Sequence, residues 1–266
     1  MSNKILENLS SSPTRGRLSR RDLLGFAAKG AASVVVSQSV LLACAAGAAG
    51  ATDTSTSTSA PTGTTTTGAS CVLTAALTEG PFFVDEKLNR SDLRTDPLSG
   101  VVSAGIPLSL TFNVSRVASS ACTPLTSAYL DVWHCDSTGT YSDVSGSSRQ
   151  FLRGYQVTDA NGVAAFTTIY PGWYSGRAVH IHFKLRLYAG SSKTYEFTSQ
   201  FFFDDTLTDS VYTQSPYSSR GSRNTRNASD GIYNSLSTND KAGLTLQTSK
   251  TADGYAGVIN LGVSVG

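Results

Sequence analysis

The chain has 266 residues, 39% hydrophobic and 15% charged, a composition that fits a folded protein rather than a disordered one. Its formal charge of +2 belongs to one end. Residues 1–43 hold six Lys/Arg and two Asp/Glu, which leaves 15 basic and 17 acidic side chains, or −2, for the remainder. Without a basic face, nucleic-acid binding loses its main support.

Met1 to Arg21 is polar and basic, and SRRDLLG (19–25) leads into an apolar, alanine-rich run from Phe26 to Ala43. A charged region followed by a hydrophobic one reads as an export signal. Arg20-Arg21 followed by Leu23-Leu24 resemble a bacterial twin-arginine signal. Lys29, Ser33, Ser37, Gln38 and Ser39 make the run weakly hydrophobic for a spanning helix. Cys44 follows Leu41-Leu42-Ala43, a match to a lipoprotein cleavage site that would tether the protein to a membrane through a lipidated cysteine. Cleavage at a later Ala-x-Ala would release it. Either route predicts an exported protein: periplasmic, on the cell surface or secreted. Residues 51–70 are almost all Thr, Ser, Ala and Gly and cannot bury enough apolar surface to offset ordering, so they read as a flexible linker. The expected organisation is a signal over 1–50, a linker over 51–70 and one domain over 71–266.

The remaining cysteines are Cys71, Cys122 and Cys135, an odd number for an oxidising compartment. A Cys71–Cys122 bridge with Cys135 buried and free is the expected arrangement, although spacing alone does not fix the connectivity.

From Cys71 the chain is long enough for one core. Thr78 to Arg94 is irregular and rich in turn formers. Ile106, Leu108, Leu110, Phe112 and Val114 then form one face of a strand, and Ala128, Leu130 and Val132 one face of another. Phe151–Val157 and Val163–Ile169 flank Asp159-Ala160-Asn161-Gly162, a hairpin signal because Asn-Gly readily takes positive φ. Another alternating run covers Thr194 to Phe203. The stretch from Asp204 to Tyr233 is long, polar and irregular, and such stretches are usually functional. Gly243–Thr248 and Val258–Val265 look like closing strands. No helical period stands out in the domain. Seven or eight short strands with regular turn signals predict an all-β fold, an antiparallel β-sandwich with long irregular loops.

The chemistry gathers between Ile169 and Phe183. From Gly176 to Tyr188 the chain alternates, with Val179, Ile181, Phe183, Leu185 and Leu187 on one face and His180, His182, Lys184 and Arg186 on the other. That is the pattern of a half-buried strand, and it puts the two histidines roughly 6.5 Å apart on one face. They could share one ion, or simply be exposed polarity. Asp and Glu are scarce nearby, whereas Tyr141 lies in the loop GTYSD and Tyr174 at the corner PGWYS. Phenolates are hard anionic donors that suit Fe(III) rather than Zn(II). Two phenolates, two neutral imidazoles and a hydroxide would bring Fe(III) to zero net charge. His134, beside Trp133, reads as structural, Tyr170 as a weaker competitor of Tyr174, and Tyr155 and Trp173 as packing or pocket wall.

TEGPFF (78–83), YLDVWHCDSTGTYS (129–142), TDANGVAAFTTIYPGWY (158–174) and RAVHIHF (177–183) together resemble the intradiol ring-cleavage dioxygenases, and the likeness continues more loosely to Gln200. The resemblance implies a non-haem Fe(III) cofactor and a catechol-type aromatic diol that dioxygen opens to a cis,cis-muconate. It implies Tyr141 as the permanent phenolate ligand, Tyr174 as the one released when substrate binds, and His180 and His182 as the imidazole ligands. Arg177 would stabilise negative charge on the substrate ring, assisted by Gln200. One departure leaves the substrate open: only five residues separate Tyr174 from His180, where the better-known catechol and protocatechuate enzymes carry a longer insertion. Nor is there the N-terminal helical region with which catechol dioxygenases dimerise, and the oligomeric state stays open. The Asp204–Tyr233 stretch is the candidate to cover the pocket instead. Two rival readings stand: a non-catalytic exported β-sandwich that binds a ligand, and a same-fold metalloenzyme with a drifted substrate.

Overall fold

A computed structural model describes residues 72–119, 121–144 and 148–266. The predicted export signal, the linker, Cys44 and Cys71 lie outside the described residues. Among these residues nine strands form two sheets. In the first, β1 (Pro107–Ala118) pairs with β2 (Ala121–Pro124) and β5 (Val163–Ile169) and, on its other side, with β9 (Tyr255–Val263), which pairs with β8 (Gln247–Lys250). In the second, the order is β4 (Arg153–Val157), β3 (Tyr129–Trp133), β6 (His180–Ala189) and β7 (Ser192–Phe202).

The core lies between the apolar faces that alternation marks out. Leu108, Leu110, Phe112 and Val114 of β1 are buried in one cluster with Leu130, Val132, Ile181, Phe183, Leu185 and Phe201 of the other sheet. The Phe112 ring joins the layers, 5.9 Å from Phe183 and 6.0 Å from Phe201, both at edge-on angles that favour aromatic pairs. The β-sandwich is therefore as expected.

Four details differ from the sequence reading. β1 and β9 run parallel, so the first sheet is mixed. The turn at Asp159–Gly162 forms, with Gly162 at φ 73° and Asp159 Oδ1 accepting from Asn161 N and Val163 N at 2.8 Å. Yet β4 and β5 do not pair: β4 joins β3 and β5 joins β1, so the turn carries the chain from one sheet to the other. Turn chemistry fixes a reversal, not the neighbours of the strands it links. The closing strand expected over Gly243–Thr248 is shifted: Gly243 and Leu244 end a helix, and β8 starts at Gln247. Residues 205–244 instead hold three short helices, α1 (Asp205–Tyr212), α2 (Gly231–Asn234) and α3 (Thr238–Leu244), with Asp204, Asp230 and Ser237 capping them.

The fourth difference bears on function. The polar face of β6 is not exposed: His180, His182, Lys184 and Arg186 are all buried. Acidic side chains neutralise the two cations, Glu79 and Glu196 at Lys184, and Asp85 (2.8 Å) and Asp131 (2.7 Å) at Arg186. Glu79 and Asp85 come from the irregular 78–94 segment, and Phe83 of that segment lies 4.0 Å under the Lys184 ammonium.

Candidate active site

Two loops and two strands bring the site together. The first loop starts at the end of β3. Asp136 accepts at Oδ1 from Thr138 N (2.8 Å) and Thr140 N (3.0 Å), closing a turn through Gly139 (φ 81°) that delivers Tyr141. The second is the Pro171-Gly172 corner before Tyr174. Gly172 N donates to Asp136 O at 3.0 Å, and the Cys135 thiol donates to Gly172 O at 3.4 Å, so the loops that carry the two tyrosines are tied together. Cys135 is free and buried, as expected. Cys122 is disulfide-bonded, and its expected partner Cys71 lies outside the described residues.

His180 and His182 open β6, where the i, i+2 spacing turns both rings to one side. Nδ1 of His180 faces Ala178 O at 2.6 Å, so that nitrogen carries the proton and Nε2 presents its lone pair. That Nε2 lies 3.0 Å from Nε2 of His182 and 3.2 Å from the Tyr174 hydroxyl. The His182 ring stacks on Trp133, 4.9 Å between centroids and 7° between planes. Tyr141 stacks in the same way on Phe82 at 4.2 Å, and its ring lies 5.7 Å from Tyr174 and 6.3 Å from His182. The Tyr141 hydroxyl is buried with no well-formed hydrogen bond, only the Tyr174 hydroxyl nearby, and Nδ1 of His182 is buried without a partner among the described residues.

The electrostatics agree with a dry, uncharged cluster. Burial lowers the His180 pKa to about 3 and holds His182 well below its ordinary range, so both imidazoles are neutral lone-pair donors at neutral pH. Burial raises Tyr141 well above, and Tyr174 above, the usual phenol value. These phenols ionise only beside a positive charge strong enough to stabilise the phenolate against burial. Among the described residues no group of three or more His, Cys, Asp and Glu comes together, so a metal held here draws on tyrosine oxygen.

Arg177 and Gln200 flank the cluster. Gln200 is directly opposite His182 in the β6–β7 pairing, a placement its distance along the chain did not reveal. It is fully buried, donating to Thr78 O (2.9 Å) and accepting from Arg177 Nη2 (2.6 Å).

The predicted residues Tyr141, Tyr174, Arg177, His180, His182 and Gln200 thus come together. Others stay out. Both ring nitrogens of His134 are spent, on Cys135 O (2.8 Å) and Thr168 Oγ1 (2.7 Å), as a structural histidine requires. The Tyr170 hydroxyl bonds Thr208 Oγ1 at 2.7 Å, inside the core. Tyr155 packs on Tyr129.

The Asp204–Tyr233 stretch braces the corner that carries Tyr174. Its side chains hold the corner residue by residue: Tyr217 on Tyr170 O (2.6 Å), Tyr212 on Pro171 O (3.0 Å), Arg220 on Trp173 O, Asn224 on Ser175 Oγ (2.8 Å) and Asp230 on Arg177 and Ala178 N. The sequence reading missed Asp230. Its one signal, an Asp-Gly ahead of Ile232-Tyr233, marks a helix cap and not a partner for Arg177.

Residues 78–220, just over half the chain, match the family model described as Dioxygenase. The chain is also similar to a solved intradiol ring-cleavage dioxygenase from Tetranychus urticae, with a TM-score of 0.62 and 29% identity over 73% of this chain and 95% of that one. The chain belongs to the intradiol ring-cleavage dioxygenase family. Within that family it is similar to the dioxygenase domain of a dioxygenase carbohydrate-binding protein fusion from Streptomyces sp. SirexAA-E (TM-score 0.53, 28% identity, 73% of this chain, all of that one). Hydroxyquinol 1,2-dioxygenase of Corynebacterium glutamicum is 31% identical over 98 residues. That stretch is 37% of this chain and 31% of the relative, so the chain spans under a third of that relative's length. The family match covers every predicted site residue and stops short of Asp230.

Proposed function

We propose that the domain cleaves a catechol-type aromatic diol between its hydroxyl-bearing carbons, using dioxygen and an Fe(III) ion held by Tyr141, Tyr174, His180 and His182. The observation that supports this reading most is the convergence of two imidazole Nε2 atoms and the Tyr174 hydroxyl within 3.2 Å, beside a buried Tyr141 hydroxyl that has no well-formed hydrogen bond. Such a donor set suits a cation. When bound, Fe(III) supplies Lewis-acid polarisation of the chelated diol.

The protein's own groups do the rest. Tyr174 stands on a flexible side chain at a corner whose neighbours, Trp173 and Ser175, are anchored, so it can swing without moving the corner. As a phenolate it accepts a proton from the incoming diol at its oxygen. Arg177, half-buried beside the tyrosine–histidine cluster, offers fixed positive charge to the deprotonated ring, worth about 2–4 kcal/mol of barrier by analogy with oxyanion donors. Gln200 holds that guanidinium from the neighbouring strand. Phe82 and Trp133 keep water from the Tyr141 and His182 rings.

Oxygen uptake with a panel of catechols, followed by identification of the ring-opened product, tests the reaction. One dioxygen consumed per diol, with a muconate-type dicarboxylate formed, supports it; uptake with none of the panel would leave a binding module or a drifted enzyme. The panel also reports the substrate. We further propose that the predicted signal over residues 1–50 directs the protein out of the cytoplasm, a reading that a disulfide-bonded Cys122 suits. Fractionation of cells producing the full chain, with Cys44→Ala to abolish any lipid tether, tests that placement.

A further inference from the structure

We propose that Asp230 is a positioning residue for catalysis, one that aims the Arg177 guanidinium at the substrate. The proposal rests on the reading of Arg177 given above and goes beyond it, because Asp230 lies past the 78–220 family match, in a segment of no recognised motif.

Asp230 has no exposed surface, and both of its oxygens are fully used. Oδ2 accepts from Arg177 Nε (2.8 Å) and from Ala178 N (2.7 Å). Oδ1 accepts from Ile232 N (2.8 Å) and Tyr233 N (2.9 Å), the cap of α2. Only a carboxylate can do this. An amide in the same place has one acceptor oxygen and would turn its NH2 against two N–H donors whichever way it lay. The guanidinium is consequently fixed at two points, Nε on Asp230 and Nη2 on Gln200 Oε1, which leaves Nη1 without a hydrogen bond among the described residues. The same carboxylate anchors residue 178, whose carbonyl fixes the His180 tautomer at 2.6 Å. One buried anion thus sets the aim of the charge-stabilising arm. Of the other contacts made by the Asp204–Tyr233 stretch, Arg220 bonds Trp173 O and Asn224 bonds Ser175 Oγ, at the corner around Tyr174.

The test separates aim from fold. Asp230→Ser keeps an oxygen for the α2 cap but cannot reach Arg177. The full chain is prepared as wild type, Asp230→Ser, Arg177→Gln and the double variant, each loaded with iron. Iron content, the visible tyrosinate band and the melting temperature are read alongside kcat and KM for the best catechol. The expected result is a roughly 10- to 100-fold loss of kcat in Asp230→Ser, as for other supporting partners, with KM, iron and band nearly unchanged. In the Arg177→Gln background the same change should cost nothing further, since the residue it aims is gone. An unchanged kcat, losses that multiply in the double variant, or loss of iron or of the melting transition in Asp230→Ser would each overturn the proposal. Failure of the wild type itself to hold iron or turn over any diol would instead strike the reading of the site.

Discussion

Nε2 of His180 and Nε2 of His182 lie 3.0 Å apart, and the proton on the far nitrogen of His180 is committed to Ala178 O. Two neutral imidazoles facing each other this way can share one proton or one cation. With burial keeping both rings from becoming imidazolium, a cation that also draws on tyrosine oxygen satisfies the pair best.

Tyr141 carries a buried hydroxyl with no well-formed hydrogen bond, only the Tyr174 hydroxyl nearby, which is a cost in the metal-free protein. Tyr141→Phe should therefore stabilise the metal-free domain by about 1 kcal/mol while weakening iron retention and bleaching the visible band. Denaturant titrations of both proteins, metal-free and iron-loaded, check the two signs. A metal-free variant less stable than wild type would mean that the hydroxyl is well hydrogen-bonded after all.

Gly172 is where the two tyrosine loops meet. A Cβ there would run into the carbonyls of Asp136 and Ser137, the latter at 2.6 Å. Gly172→Ala should cost about 2 kcal/mol or more and lower the iron content, because separating the loops separates Tyr141 from Tyr174. Thermal melting and metal analysis on one sample measure both. Full stability with full iron would show that the loops adjust freely.

Burial lowers the pKa of the structural His134 to about 4. Its folded-state value lies below the ordinary 6.5, so the unfolded chain takes up this proton first. The contribution is complete above about pH 6.5 and is lost as pH falls toward 4, at up to about 1.4 kcal/mol per pH unit. Asp131 pulls the other way over part of this window, since burial raises its carboxyl to about 6. The reading is therefore differential: urea midpoints of wild type and His134→Gln between pH 7 and 4.5 should converge as the pH falls. Parallel curves would contradict a neutral, buried His134.

Much of the site was legible in the sequence. Alternation from Gly176 to Tyr188 gave the strand, its faces and the shared side of His180 and His182, and the turn residues around Asp136 and Pro171 marked the loops that carry Tyr141 and Tyr174. What was not legible depended on pairing across long separations. Nothing in β1 or β9 announces that they run parallel. The Asn-Gly turn signals a reversal equally well whether its strands pair or part. The polar side of β6 reads as solvent-facing because alternation cannot show that the 78–94 segment covers it and supplies Glu79 and Asp85. Gln200 became close to His182 only through the β6–β7 register, and Asp230 became close to Arg177 only through short helices whose polar, Ser/Arg/Asn-rich sequence carries little period. In α1, Leu207, Val211 and Tyr212 are the only apolar marks in eight residues.

The central claim is that Tyr141, Tyr174, His180 and His182 hold Fe(III) for a chelating diol. The visible absorption spectrum of the iron-loaded domain, recorded before and after anaerobic addition of catechol, tests it most directly. A red tyrosinate-to-iron band that shifts when catechol is added is the predicted result. A protein that stays colourless after iron loading, with no iron retained, would contradict the account and favour a β-sandwich that binds its ligand without metal.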